Sequence, residues 1–372
     1  MRTSKVYFTD MRTQDGNSLL DKLKRLINAA GIQKIDFENR YAAVKIHFGE
    51  PGNLSALRPN FAKVVTDVVW ALGGKPFLTD CNTLYVGRRS NALDHLGAAA
   101  TNGFNFESCG CRIIIADGLK GTDEALVSLT GTKYVREAKI GRAIMDADVV
   151  ISLNHFKGHE CTGFGGALKN IGMGSASRAG KMEQHCDGKP EVDKETCRLC
   201  RQCARQCAHS AIVFDAKAAR IDHARCVGCG RCIGSCNFHA IENNTDGGNT
   251  ILCERMAEYA LAVLKDRPHF HISVISQVSP YCDCHAQNDL PIIPDVGMLA
   301  SFDPVALDQA CADLCNAQQP IPGSVLDESL RAGTNYHDHF TDTFPSTDWR
   351  ATLRHAESLG LGTTGYEMVT VR

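Results

Sequence analysis

At 372 residues, with 44% hydrophobic and 22% charged side chains, the chain is long enough for more than one compact unit and has an ordinary globular composition. A net charge of −2 gives no bulk attraction to nucleic acid, and no run approaches the roughly 18 apolar residues of a membrane-spanning helix. The opening MRTSKVYFTDMRT has no apolar signal core, so the expectation is a soluble, cytoplasmic protein without membrane insertion; eight of its 18 cysteines fall in one dense array, which there reads as metal sites rather than disulfides.

Residues 1–153 alternate strand-like runs with amphipathic helical ones. The runs Val6–Thr9, Ala42–His47, Lys75–Thr79, Arg112–Ala116 and Asp148–Leu153 read as strands. Helical patterns lie between them, including 18–30, which ends at Gly31, and 59–72. Such alternation predicts an α/β fold with a largely parallel sheet and flanking helices. The rhythm stops at 187 and resumes near 246 with a helix at 252–266, a strand at 269–276 and a helix at 304–317. A helix near 348–358 and a last strand at 366–371 close the chain. The predicted organisation is an α/β domain in two parts, 1–186 and 246–372, interrupted by a small ferredoxin-like insert over 187–245.

The insert is an internal repeat. CRLCRQCARQCAHSAI at 197–212 aligns with CVGCGRCIGSCNFHAI at 226–241, with all four cysteines and the following Ala-Ile superposed. Each half reads C-x2-C-x2-C-x3-C, the spacing of bacterial two-cluster ferredoxins, in which the fourth cysteine ligates the other cluster. That pattern assigns one 4Fe–4S cluster to Cys197, Cys200, Cys203 and Cys236 and a second to Cys226, Cys229, Cys232 and Cys207. The Pro usual after the fourth cysteine is replaced by Ala208 and Asn237. Zinc is the competing reading, but its paired-cysteine spacing fits four evenly spaced cysteines poorly. Nine basic against six acidic residues over 187–240 give the insert a mildly basic face, suited to an acidic redox partner protein such as a ferredoxin, flavodoxin or reductase.

Just before the insert, NHFKGHECTGFGGALKNIGMG at 154–174 follows a strand and packs glycines among ligand-type side chains. In open α/β sheets the loop after a strand's carboxyl end is where ligands bind. Lys157, His159, Lys169 and His185 are the candidate catalytic residues; Gly163, Gly165 and Gly166, with Lys169, are candidates for holding a cofactor. The amides of 163–166 and 172–174 are candidates for an anion-binding nest. No nucleotide motif survives inspection: GSASRAGKM at 174–182 has the wrong spacing for a P-loop, and GFGGAL is not GxGxxG. Among the remaining cysteines, Cys81, Cys109, Cys111, Cys253, Cys311 and Cys315 read as small core residues. Cys282 and Cys284, in YCDCH after the 269–276 strand, reach the same sheet edge; with His155 they form a candidate extra metal site, or a redox pair. Asp303, before Pro304, reads as a helix N-cap.

Several segments carry a family resemblance. HFGEPGNLSALRP (47–59), NHFKGHECTGFGGALKNIGMG, YCDCH (281–285), PIIPDVGMLASFDPVALDQA (291–310) and the embedded cysteine array resemble family 362 of the domains of unknown function. The resemblance implies an α/β protein with an iron–sulfur module and no settled reaction. A fainter one joins His159, Gly163, Phe164, Gly166, Lys169, Gly174 and His185 to a motif of nickel-dependent lactate racemases, with Arg58-Pro59 similar to an Arg-Pro of their substrate region. It implies a nickel-pincer nucleotide joined to Lys169 and a nickel ligand at His185. Gly165, Ala167 and Leu168 depart from that motif, and the racemases lack the insert.

The leading expectation is an iron–sulfur oxidoreductase that delivers electrons from two 4Fe–4S clusters to a pocket in the α/β domain. Lys169 and Lys157 would hold a small anionic ligand, with His159 or His185 as proton donor or ligand, and an additional metal or organic cofactor is a further candidate. The alternatives are an electron carrier or metal-handling protein without its own substrate, and a racemase-like enzyme with a lysine-linked nickel cofactor.

Overall fold

The computed structural model describes residues 3–84, 87–186, 189–207, 209–226, 231–234, 236, 238, 240–243 and 248–372. Eight strands form one sheet, in the order Tyr366–Thr370, Ser4–Asp10, Gly297–Ser301, His269–Ile275, Val149–His155, Tyr41–Lys45, Lys75–Asp80 and Arg112–Ile115. The last five in that order are mutually parallel; Gly297–Ser301 runs antiparallel to both neighbours, and Tyr366–Thr370 pairs parallel with Ser4–Asp10. The fold is thus mixed α/β with a mostly parallel sheet and helices on both faces.

Strand alternation builds the two cores. Val149, Ile151 and Leu153 face one way, onto helices Leu19–Ala30 and Pro59–Ala71; Val150 faces the other, onto Gly248–Leu264 and Pro304–Asn316. All seven residues of Val149–His155 are buried, as a strand covered on both faces requires. The sequence analysis missed Gly297–Ser301. GMLAS has no β-branched residue and opens on glycine, so nothing local marks it as a strand; its burial between two partners makes it one.

Between 190 and 243 the chain makes short pieces. Pro190–Val192 pairs with Ile241–Asn243, and Ile212–Phe214 with Ala219–Ile221, each antiparallel. Cys203, Ile212, Ala219, Ile221 and Ile241 form a small core of their own, against which Cys197, Cys207, Cys226, Cys232, Ile233 and Cys236 pack. Ile233 also packs on Leu84 and Met182 of the large domain. Among the described residues, no helix is long and apolar enough to cross a membrane.

An aromatic cluster braces the loop that carries the candidate site residues. Phe164 stacks on Phe156 (centroids 4.6 Å apart) and on Trp349 (5.1 Å), and Phe340 packs edge-on to both phenylalanines. The buried Trp349 indole Nε1 donates to Asp338 at 2.9 Å. Gly163 sits at φ +75° with Trp349 where a Cβ would point, 2.9 Å away, so both conformation and space require glycine. Replacing Trp349 with Ala should lower unfolding free energy by about 3–5 kcal/mol, the range for a buried large aromatic; a urea melt with unchanged midpoint would show the cluster to be dispensable.

Candidate functional site

The carboxyl ends of four neighbouring parallel strands converge on one cavity of about 300 Å³. Strand Tyr41–Lys45 delivers Lys45 and, just beyond it, His47; Lys75–Asp80 delivers Asp80 and Cys81; Val149–His155 leads into Lys157, His159 and Glu160; and His269–Ile275 leads into Cys282, Cys284 and His285. Helices Ala167–Gly172 and Arg178–Cys186 close the wall with Lys169, Asn170, Lys181 and His185. A ligand crevice at the carboxyl edge of an open α/β sheet is the expected place.

Two buried carboxylates hold this frame. Asp283 accepts from His155 Nδ1 at 3.0 Å and stands 3.5 Å from Lys157 Nζ. Burial alone would raise its pKa, but His155 and Lys157 outweigh that and hold it well below the carboxylate range. Asp308 accepts from the amides of Ala167 (2.7 Å) and Leu168 (2.9 Å), capping the helix that carries Lys169. Burial pushes Asp308 up to about 7 against those two hydrogen bonds. A Cβ on Gly166 would meet Asp308 Oδ1 at 2.3 Å, which fixes glycine there.

The reactive feature is Cys282. Lys169 Nζ donates to its sulfur at 3.4 Å. His159 Nδ1 accepts the amides of Cys161 and Thr162, both at 3.1 Å, which puts the ring proton on Nε2 and leaves that N–H to donate to Cys282. The Cys284 thiol also donates to it. This bond from Cys284 comes first, burial opposes, and Lys169 and Lys157 add to it; together they hold Cys282 far below the usual thiol range. Cys284 is pushed the other way, because the bond to Cys282 keeps its proton and burial adds to that. The two cysteines are therefore inequivalent: charge is favoured on Cys282 and the proton on Cys284.

Five cationic side chains, Lys45, Arg89, Lys157, Lys169 and Lys181, line the cavity with two carboxylates, Asp80 and Glu160. Lys45 pairs with Asp80 at 2.9 Å, and Arg89 with Glu50 at 2.9 Å. Lys169 spends one N–H on Cys282, and Lys181 one on the Ala176 carbonyl at 2.5 Å; an ammonium has three. Glu160 is pushed up by burial, yet His159 and the 2.7 Å bond from His285 bring it down to about 2. Burial, then the nearby His159, Lys169 and Lys181, brings His185 down to about 3, so its imidazole enters the chemistry neutral, as acceptor rather than proton donor.

Lys157, His159, Lys169 and His185, singled out from the sequence, line the one cavity, as do Gly165, Gly166, Cys282 and Cys284. Three expectations are corrected. Gly163 packs under Trp349 rather than lining the cavity. His155 has both ring nitrogens bonded, to Asp283 and to the Ser276 carbonyl at 2.7 Å, and so offers no lone pair beside Cys282 and Cys284. The amides expected to form an anion nest are engaged otherwise: Gly163–Gly165 pairs as a strand with Lys157–His159, and the amides of Met173 and Gly174 go to the Lys169 carbonyl at 3.1 Å. Sequence reasoning missed Lys45, Asp80, Arg89, Glu160 and Lys181. A lysine at the end of the apolar strand YAAVK was the available signal. Asp303 caps Pro304–Asn316, accepting from Val305 and Ala306 at 2.9 Å.

In the insert, Cys197, Cys200, Cys203 and Cys236 line one small cavity. Three sulfurs accept amide hydrogens: Cys197 from Ala219 (3.4 Å), Cys236 from Ala240 (3.3 Å) and Cys207 from Ala211 (3.3 Å). Cys200 is exposed, with exposed Arg198, Arg201 and Arg205 around it. Cys207, Cys226 and Cys232 pack on the same small core; Cys229 lies outside the described residues, as does the side chain of Cys186. Among the described residues, no group of three or more His, Cys, Asp or Glu is gathered as the ligands of a metal ion.

Alkylation by iodoacetamide reads the Cys282 thiolate directly. The wild-type rate at Cys282 should already be at its plateau near neutral pH. Lys169→Met removes a cation that favours the thiolate and should move the rate profile up by about one to three pH units; an unmoved profile would mean that Lys169 does not set the charge of Cys282.

Comparison with known proteins gives three findings. No curated protein matches the chain. Among solved structures, the lactate racemase apoprotein from Thermoanaerobacterium thermosaccharolyticum is similar at 12% identity and a TM-score of 0.39, over 73% of this chain and 51% of that one. A Thermotoga maritima protein is similar at 12% identity and a TM-score of 0.42, over 82% of this chain and 59% of that one. The chain thus spans only half to three-fifths of these structures. The model of the family described as a domain of unknown function, DUF362, matches residues 42–313, and the chain belongs to that family.

Proposed function

We propose that the protein is an iron–sulfur oxidoreductase that takes electrons into the 187–245 insert and delivers them to an anionic substrate in the α/β cavity. The observation that carries this reading is a contact. Ile233, next to the proposed ligand Cys232, packs on Leu84 and Met182, and Leu84 lines the cavity with Lys181 and His185. The second cysteine set is therefore joined through apolar packing to the cavity wall.

The donor chemistry fits the clusters. Cys197, Cys200 and Cys203 share one cavity with Cys236 from the other half of the repeat, the crossed ligand set of a two-cluster ferredoxin. The amide bonds to Cys197, Cys207 and Cys236 suit thiolates bound to iron. Cys226, Cys229, Cys232 and Cys207 would hold the second cluster. When bound, such clusters supply one-electron transfer. The exposed Arg198, Arg201 and Arg205 beside Cys200 suit an acidic protein donor docking at the first set.

In the cavity, Lys169 and Lys181 have N–H donors left for a carboxylate or phosphate. His159 holds its proton on Nε2, and His185 stays neutral on the same wall. A second reading rests on His159, Lys169 and His185 lining the same cavity, which is the set that resembles the racemase motif: a cofactor joined to Lys169 with nickel near His185.

Anaerobically purified protein should contain about eight iron and matching acid-labile sulfide per chain. Cys203→Ala should lose about half of each while retaining one reducible cluster by electron paramagnetic resonance. Zinc in place of iron would overturn the iron–sulfur reading. Nickel, with an intact mass above that of the polypeptide and lost in Lys169→Ala, would favour the second one.

A further inference from the structure

We propose that Cys282 and Cys284 are a reversible dithiol–disulfide couple, and that the cavity's substrate class is a small disulfide bearing carboxylate or phosphate groups. The inference deepens the reading above by naming a substrate and rests on its cavity, but it needs no cluster for its first half-reaction.

The geometry comes from the turn. The His285 amide donates to the Cys282 carbonyl at 3.0 Å, so the chain reverses over 282–285 and brings both sulfurs to one cavity wall. Residues two apart span at most about 7 Å, and in a turn less, within the roughly 4.4–6.8 Å between the Cα atoms of a disulfide. Asp283 between the two cysteines is locked to His155 and Lys157, which fixes the segment from which both project. Cys282 is buried and Cys284 half-buried, and both face a cavity of about 300 Å³. Lys169, at 3.4 Å from Cys282, with Lys157 and Lys181 on the same wall, selects for negative charge.

The exchange balances without an outside proton. The Cys282 thiolate attacks one sulfur of the substrate; the substrate S–S bond breaks, a mixed disulfide forms at Cys282, and one substrate thiolate leaves. Cys284 gives up its proton and attacks Cys282 Sγ, forming the Cys282–Cys284 bond and expelling the second substrate half, which takes that proton. The protein loses two electrons and the substrate gains them. The couple is reset by two electrons and one proton, from a dithiol in the test below.

The test uses anaerobic holoprotein and 5,5′-dithiobis(2-nitrobenzoate), a disulfide with two carboxylates that releases a coloured thiolate. A fast phase of two thiolates per chain is expected, and peptide mapping should recover a 282–284 disulfide that dithiothreitol reverses. Cys284→Ala should release one and stop at a mixed disulfide on Cys282; Cys282→Ser should lose the fast phase. With each rate divided by that of the same disulfide with 2-mercaptoethanol, which removes the difference in leaving-group pKa, cystamine, a cationic disulfide, should react at least tenfold more slowly. Mapping that links Cys282 to Cys161 or Cys81, the other cysteines on the cavity wall, or two thiolates still released by Cys284→Ala, would overturn the couple. Equal normalised rates for the two disulfides would overturn the substrate class. Iron content and circular dichroism keep a misfolded variant from counting. Should the protein lack clusters yet pass this test, the electron-transfer reading falls and the couple stands.

Discussion

The cavity hangs on the buried carboxylate of Asp283. It joins two loops far apart in sequence: that of His155 and Lys157, leaving strand Val149–His155, and its own, leaving His269–Ile275. Its carbonyl also accepts the Glu50 amide at 2.9 Å, which ties in a third loop. A carboxylate taken out of water is costly unless paired, and removing one partner of a buried ion pair costs about 3–5 kcal/mol. That penalty makes the arrangement specific, because any other packing of the loops would strand the charge. Asp283 also sits between the two cysteines, so the clamp that joins the loops aims the sulfurs.

A second carboxylate works the same way one layer out. Asp308, on helix Pro304–Asn316, takes the first two amides of Ala167–Gly172 and so fixes the helix that presents Lys169. Here the protein uses a side chain where many α/β proteins use the bare helix start to hold an anion. The consequence is chemical. With those amides occupied, the attraction for an anion comes from lysine ammoniums instead, which also stabilise the Cys282 thiolate. Anion affinity and thiolate formation therefore share the same charges.

Much of the architecture was legible because its signals are local. Runs such as Val149–His155 are apolar throughout, and helix Leu19–Ala30 starts at a Ser18 capping box and ends at Gly31 in the left-handed region. The cysteine repeat was legible as a repeat because its spacing recurs within the chain. Gly297–Ser301 was not, since its pairing is entirely non-local. The candidate loop could be named but its internal roles could not: His155 and His159 look alike in sequence, and only tertiary partners make one a clamp and the other a donor to Cys282. Lys45, Asp80 and Lys181 were hidden for a related reason. A charged residue inside a regular element carries no mark of the cavity it faces until the neighbouring elements are in place.

Helix Arg178–Cys186 is shared property. Its Lys181 and His185 line the cavity, its Met182 touches Ile233 of the cysteine-rich segment, and the chain passes into that segment directly from its last turn. A cassette spliced into a surface loop could be lost, swapped or transplanted with little effect on its host. This one could not. Excising 187–245 would strip the outer face of Met182 and free the end of a helix that holds two wall residues, and grafting the segment elsewhere would leave its Ile233 without a seat. The two parts of this protein are therefore constrained to diverge together, as one heritable unit.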